Sequence, residues 1–112
     1  MKKDHKVFLK HILDSINYIN EYTSGKSLQE FLNSIETQDA VMRRLAVIGE
    51  AAKNLPIPTR ERHKVIDWKA VIGLKNILVH EYFGIDMKVL WNIIKKDLPH
   101  LKSEVAKMLK KP

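Results

Sequence analysis

Cysteine is absent from the chain. That removes disulfide frameworks, cysteine-based zinc sites and thiol nucleophiles at once, and it fits a reducing compartment, so a cytoplasmic location is expected. No apolar run approaches the roughly 20 residues that a membrane-spanning helix requires, and no membrane partner is expected. The opening MKKDHKVFLKHILDSI starts with lysines as a secretory leader does. Lys10, His11 and Asp14 interrupt its apolar stretch and no small-residue cleavage site follows, so this N-terminus is expected to stay on the mature protein. There is no phosphate-binding glycine loop, dinucleotide fingerprint or serine-nucleophile motif, and no cofactor is expected. Apart from His80, the histidines are His5, His11, His63 and His100. None of these forms an i, i+4 pair or a Glu-x-x-His arrangement, so no metal site is expected. Internal repeats, low-complexity linkers and breaks in composition are also missing, which predicts a single domain over 1–112. A chain of 112 residues can bury one continuous core without covalent staples.

Positive charge is plentiful: 20 Lys and Arg face 13 Asp and Glu, a formal net charge of +7. In so small a protein this produces a potential that attracts polyanions, RNA among them, although mixed Lys and Glu on helix faces also serve plain solubility. Apolar residues recur with a helical period almost everywhere, and period-two alternation between hairpin turns is not seen. The expected fold class is therefore all-α, an up-and-down bundle of four to five helices.

A first helix is expected from about Asp4 to Tyr22, carrying Phe8, Ile12, Ser15, Ile16, Ile19 and Tyr22 on one side, and Gly25 ends that region. A short turn of helix covers Ser27 to Asn33. Thr37 is expected to cap a third helix running to Leu55 with the seam Val41, Leu45, Ile48, Ala52, Leu55, stopped by Pro56 and Pro58. After a basic connector, TRERHK, Asp67 can cap a helix from Trp68 through Phe83 that ends at Gly84. Asp86 starts the last stretch. There Leu90, Ile94, Leu98, Leu101, Val105 and Met108 hold one register through Pro99, which predicts either a kinked helix or two helices recapped at Asp97.

The segment VIGLKNILVHEYF, residues 71–83, stands apart because its apolar residues nearly encircle the helix. At 100° per residue, Ile72, Val79 and Phe83 fall on one side and Leu74, Ile77 and Leu78 on roughly the other, as in a helix buried on most faces. Two narrow polar strips remain: Gly73, Asn76 and His80 in one, Lys75 and Tyr82 in the other. Asn76 and His80 are one turn apart, so they can address one phosphate or water, or else satisfy each other inside a core. Lys75 and His80 lie about 140° apart and are poorly placed to grip one group from a single copy, a difficulty that two facing chains would remove.

GLKNILVHEYFGID, preceded by IDWKAVI and followed by VLWNIIKKDLPHLK, resembles the HepT-like branch of the HEPN domains, and AVMRRLAVIGEAAKNLP resembles the second signature of that family. The matching stretches run in order from about Asp39 to the C-terminus. The resemblance implies a HEPN-like helical bundle, usually a homodimer. In such dimers an Arg-polar-x-x-x-His motif from each protomer lines a cleft at the interface and cleaves RNA without metal. It also implies a partner, a minimal nucleotidyltransferase antitoxin that transfers AMP from ATP to the tyrosine two residues after the histidine. By position, Asn76, His80 and Tyr82 are offered for these roles. Lys75 departs from the pattern, standing where the motif carries arginine.

Metal-free RNA cleavage needs a base for the 2′-hydroxyl, an acid for the leaving 5′-oxygen and cations for the developing charge. Imidazole titrates near neutral pH, which suits His80 as proton carrier, while Asn76 can orient it or contact a phosphate oxygen. Lys75 supplies a point charge where arginine would supply a planar fork. Arg43 and Glu50 are seven apart on one face of the third helix, away from its seam. They are either an exposed pair of charges or supporting members of the site, and Gly49 beside Glu50 suggests a close helix approach. Tyr82 is either a half-buried packing residue with a wet hydroxyl or, as the resemblance implies, the AMP acceptor.

Three functions are thus in play. The first is a toxin-like endoribonuclease using Lys75, Asn76 and His80 from two protomers and inhibited at Tyr82. The second is a non-catalytic subunit that docks a nucleotidyltransferase. The third is plain nucleic-acid binding by the basic surface, marked by strong salt dependence and indifference to His80.

Overall fold

Apolar residues spaced three and four apart build the two longest helices of the structure, a computed structural model that describes residues 5–77 and 86–110: α1, Lys6–Thr23, and α3, Ile35–Lys53. They pack along one another as the most extensive helix pair of the fold. Ile12, Ile16 and Ile19 of α1 meet Val41, Leu45, Ile48 and Ala52 of α3, all without solvent exposure. Each such aliphatic side chain contributes on the order of 1.5–3 kcal/mol by leaving water. Among the described residues every regular element is helical, so the all-α bundle expected from periodicity, HEPN-like as the resemblance implies, is the observed fold.

Between α1 and α3, Gly25 takes a φ of +73°, a left-handed conformation that other residues adopt at a cost. The chain then forms α2, Leu28–Leu32, opened by a reciprocal cap in which the Ser27 N–H donates to Glu30 Oε1 at 2.9 Å and the Glu30 N–H donates to Ser27 Oγ at 3.2 Å. These two Ser27 groups, backbone first and hydroxyl second, hold the Glu30 carboxyl below its ordinary pKa, with a smaller contribution from Lys26.

The start of α3 differs from expectation. Ser34, not Thr37, is the cap: its Oγ accepts the Thr37 N–H at 3.2 Å, which places Thr37 inside the first turn. Both residues suit a cap chemically. Gln38 decides between them, because its amide donates to the carbonyls of Phe31 and Leu32 at 2.9 and 3.1 Å and draws the helix start back against α2. At the other end α3 stops at Lys53 with Asn54 as its C-terminal cap, and Leu55 is buried just beyond it.

Part of the expected connector is helical. In α4, Ile57–Glu61, Pro58 sits in the first turn, where its missing N–H is not needed, and Thr59 turns inward. Asp67 caps α5, Trp68–Gly73, by accepting the Ala70 N–H at 3.1 Å, as its sequence position predicts. Trp68 is buried and its indole N–H donates to the His63 carbonyl at 3.1 Å, which anchors α5 to the chain before it.

The last stretch resolves the alternatives posed by Pro99. Helix α6, Met87–Asn92, is capped by Asp86, passes into a π turn at Ile93–Asp97 and continues as α7, Leu98–Lys110. Leu98 itself is helical. Asp97 therefore does not restart the helix. A proline ring clashes with the carbonyl four residues back, and the wider π turn opens that space without breaking the run. Leu90, Ile94, Leu98, Leu101, Val105 and Met108 are all buried, in the register their spacing implies. α7 closes the bundle against α1, and Phe31 of α2 meets Trp91 of α6 with ring centroids 5.2 Å apart.

Candidate functional site

The candidate site grows out of α5, whose last residue, Gly73, is followed by a tighter 3-10 turn, Leu74–Asn76. That turn is seated on Gly49 of α3. A Cβ built on Gly49 would meet the Lys75 amide nitrogen, and would lie 2.9 Å from the Leu74 carbonyl carbon and 3.0 Å from the Ile72 oxygen. Gly49 is buried there, and only the absence of a side chain lets the two backbones approach.

The tightened turn alters the expected geometry. A uniform projection at 100° per residue does not carry through a 3-10 turn, where side chains three apart eclipse. Of the apolar residues described in this segment, Ile77 is buried, whereas Val71, Ile72 and Leu74 are half-buried. The described part of the segment is thus less enclosed within this chain than an apolar-encircled helix implies. Leu78, Val79, His80, Tyr82, Phe83 and Gly84 lie outside the described residues.

Lys75 and Asn76 are brought together. Both are half-buried, and Lys75 Nζ donates to Asn76 Oδ1 at 3.3 Å. The ammonium is therefore held by a neutral amide. Among the described residues the one ion pair is Lys107 to Glu104, at 3.2 Å on α7, so no described carboxylate competes for Lys75. An ammonium carries three N–H donors, and one is used here, which leaves directed donors for an incoming anion.

Arg43 and Glu50 are exposed on the face of α3 opposite its buried seam. A helical projection puts them about 20° from each other and roughly 100–120° from Gly49. Neither has a hydrogen bond to Lys75 or Asn76 within the described chain.

An apolar cavity of about 400 Å³ runs beside the turn, lined by Val71 and Leu74 of the segment and by Ile93, Leu98 and Leu101 across from it. Asp67 and Asp97 are acidic members of its lining, which does not suit a phosphate backbone. Among the described residues no three or more His, Asp or Glu side chains gather in a way that could hold a metal ion. No helix among them is long and apolar enough to cross a membrane.

A family model described as Ribonuclease HepT-like matches residues 12–108. The chain belongs to this family. The HepT-like match runs from Ile12, within α1, through nearly all of α7, and so includes the last two thirds of helix one, for which the sequence offered no motif of its own. A "Gamma-glutamylcyclotransferase and putative RNase" of Methanocaldococcus jannaschii is 47% identical over 97% of this chain, which spans about half, 49%, of that longer relative. A "Probable ribonuclease HepT" of Thermococcus cleftensis is 40% identical over 98% of this chain and 100% of its own length. No solved structure matches the chain.

Against the HepT-like motif, Lys75 and Asn76 are the positions the structure describes, and it adds a contact the spacing did not predict. The sequence pointed to Asn76 and His80 as neighbours one turn apart. Among the described residues Asn76 bonds the adjacent Lys75, whose long side chain folds back onto the amide at the 3-10 turn, while His80 lies outside them. Gly49 was legible as a sign of close approach, but its partner, the backbone of Leu74 and Lys75, was not.

Proposed function

We propose that this chain is the toxin component of a toxin–antitoxin pair. It acts as a metal-independent endoribonuclease whose cleft lies between two protomers and is closed by AMP transfer to Tyr82 from a minimal nucleotidyltransferase. The observation that carries this reading is the Lys75–Asn76 pair: a cation held by a neutral amide, on a turn fixed against Gly49 that ends four residues before His80. The relatives named as ribonucleases, one of them matched end to end, point the same way.

In this mechanism His80 accepts the proton of a ribose 2′-hydroxyl. The 2′-oxygen attacks the adjacent phosphorus, and the bond from phosphorus to the 5′-oxygen breaks. A protonated imidazole, that of the second protomer, returns a proton to the leaving oxygen. The products are a 2′,3′-cyclic phosphate and a 5′-hydroxyl. Lys75 stabilises the charge that develops on the non-bridging oxygens, and Asn76, already aligned with it, orders the phosphate or the imidazole. Two copies of the motif facing each other supply the base and the acid together. Glu50 and Arg43, exposed on one protomer, are supporting groups from α3 in this arrangement. Tyr82, two residues beyond His80, carries its modification at the mouth of the same cleft, where an added AMP blocks RNA.

A second reading follows from Lys75 itself. An ammonium replaces the planar fork of the motif arginine, and a chain so altered can serve as a non-catalytic subunit that docks the nucleotidyltransferase. Cleavage of labelled tRNA and mRNA in EDTA by the native chain, His80→Ala and Lys75→Arg separates the two. Cutting by the native chain and Lys75→Arg but not by His80→Ala supports the ribonuclease. Cutting by Lys75→Arg alone, or by none, supports the binding subunit.

A further inference from the structure

On the seam between α1 and α3, away from Gly49, lies a cavity of about 310 Å³ lined by His11, Asp14, Ser15, Tyr18, Arg44 and Val47. Helical projection places Arg44 and Val47 roughly 140–160° around α3 from Gly49, so this cavity is not part of the Lys75 site.

Three features make it more than a surface irregularity. First, Ser15 is 1% exposed and its Oγ is buried without any hydrogen-bond partner. A helical hydroxyl in that position ordinarily bonds the carbonyl four residues back, as Thr23 Oγ1 does to the Ile19 oxygen at 2.9 Å. Second, the Arg44 guanidinium lies 4.5 Å from the centroid of the Tyr18 ring, and Tyr18 in turn stacks on Tyr22 at 6.3 Å and 22°. Tyr18 nonetheless stays 44% exposed, which makes it one of the few large rings the fold leaves at the surface. Third, Asp14 and Arg44 share the cavity without an ion pair between them.

The chemistry of this lining selects its ligand. A phosphate would be drawn by Arg44 and His11 but repelled by the Asp14 carboxylate. A nucleobase suits both signs, with a π face for the tyrosine–guanidinium platform and polar edges for the charged groups. Among the bases, guanine presents two adjacent N–H donors, N1–H and N2–H, to an acceptor-only carboxylate, and its O6 or N7 accepts from His11. Adenine offers an acceptor in place of the N1 donor, and uracil and cytosine lack the adjacent pair.

We infer that the His11, Asp14, Ser15, Tyr18 and Arg44 cavity is a guanine-binding subsite that seats one unstacked base while the cleavage cleft acts elsewhere on the strand. The inference rests on the RNA-cleaving reading only for the source of that base. Asp14 accepts from the Watson–Crick edge, the Arg44 guanidinium, backed by the Tyr18 ring, stacks on its face, and Ser15 Oγ gains the partner it lacks.

The test measures fluorescence anisotropy of the native chain with labelled 2′-O-methyl RNA decamers, which bind but cannot be cut for want of a 2′-hydroxyl nucleophile. Alternating uridine and guanosine is compared with oligouridine, and calorimetry with guanosine monophosphate runs alongside. The mixed decamer should bind about tenfold more tightly, the discrimination expected of one bidentate base contact. Asp14→Asn and Ser15→Ala should bring the ratio within about twofold while leaving oligouridine binding unchanged. Arg44→Lys, which keeps the charge but loses the stacking plane, should do the same.

Asp14 is exposed, so Asn there leaves the fold intact, and circular dichroism verifies it. Equal affinity for the two decamers overturns the subsite and leaves RNA cleavage standing. Binding of guanosine monophosphate that depends on Asp14, with no RNA binding at all, keeps the subsite, assigns its base to a free nucleotide and removes the ribonuclease reading. Failure of both the decamers and the nucleotide to bind overturns the subsite outright.

Discussion

Gly49 and Lys75 touch backbone to backbone: where any other residue would carry a Cβ, Gly49 meets the Lys75 amide nitrogen, with the Leu74 carbonyl carbon 2.9 Å from the same point. This contact fixes the turn that presents Lys75 and Asn76. Gly49→Ala should therefore destabilise the protein, although alanine favours a helix by about 1 kcal/mol, because the atoms met are main chain and cannot step aside; overpacking of this kind costs about 1–3 kcal/mol or more. Thermal unfolding should show a midpoint several degrees lower, at about 4–8 °C per kcal/mol for a domain of this size. An unchanged or raised midpoint would mean that the turn does not depend on the close approach.

Lys75 separates charge from geometry. Lys75→Ala should lower kcat/KM for RNA by about a hundredfold or more, the scale seen when one transition-state donor is removed. Lys75→Arg should match or exceed the native rate, since the guanidinium grips two phosphate oxygens. Single-turnover kinetics on one labelled RNA tests both, and equal activity of Lys75→Ala and the native chain would exclude Lys75 from the reaction.

Ser34 caps α3, and Ser34→Ala should cost about 1 kcal/mol in urea unfolding. Thr37 also bonds Ser34, its hydroxyl lying 2.9 Å from Ser34 Oγ, but it does not cap the helix. Thr37→Ala should cost less, and the reverse order would reassign the start of the helix.

Ser15 makes an opposite prediction for stability. Its hydroxyl is buried and unpartnered, and an unsatisfied buried polar group costs about 1–3 kcal/mol. Ser15→Ala should leave the protein equally stable or raise its unfolding midpoint. A clear loss of stability would show that the hydroxyl has a partner in solution.

The cap of α2 is sensitive to acid. Hydrogen bonds from Ser27 hold the Glu30 carboxyl below its ordinary pKa in the folded chain. A carboxyl whose folded pKa is depressed contributes stability above its unfolded pKa, and that contribution is lost as pH falls through the lowered folded value. Titration of the Glu30 side chain by NMR should give a midpoint below that of an unperturbed glutamate, and Ser27→Ala, which removes the hydroxyl but keeps the larger backbone N–H contribution, should move it part of the way back up.

Much of this architecture is written locally. The helical period alone yields the seam of α3 and the register of α6 and α7 through Pro99, since a buried stripe demands apolar residues every three or four positions. The Asp67 cap and the Ser27–Glu30 pair are equally local, because a side-chain oxygen needs only an N–H three residues on. Likewise, the segment holding Lys75 and Asn76 was recognisable from its residues.

Tertiary structure decided the rest. Ser34 prevailed over Thr37 because Gln38 reaches carbonyls six and seven residues away. Lys75 turned to Asn76 because α5 tightens into a 3-10 turn over Gly49, a partner some 25 residues distant whose approach no helical projection contains. The cavity between Asp14 and Arg44 exists only because α1 and α3 lie side by side. Period and caps are properties of one stretch of backbone, whereas these contacts depend on the angle and distance at which separate helices pack.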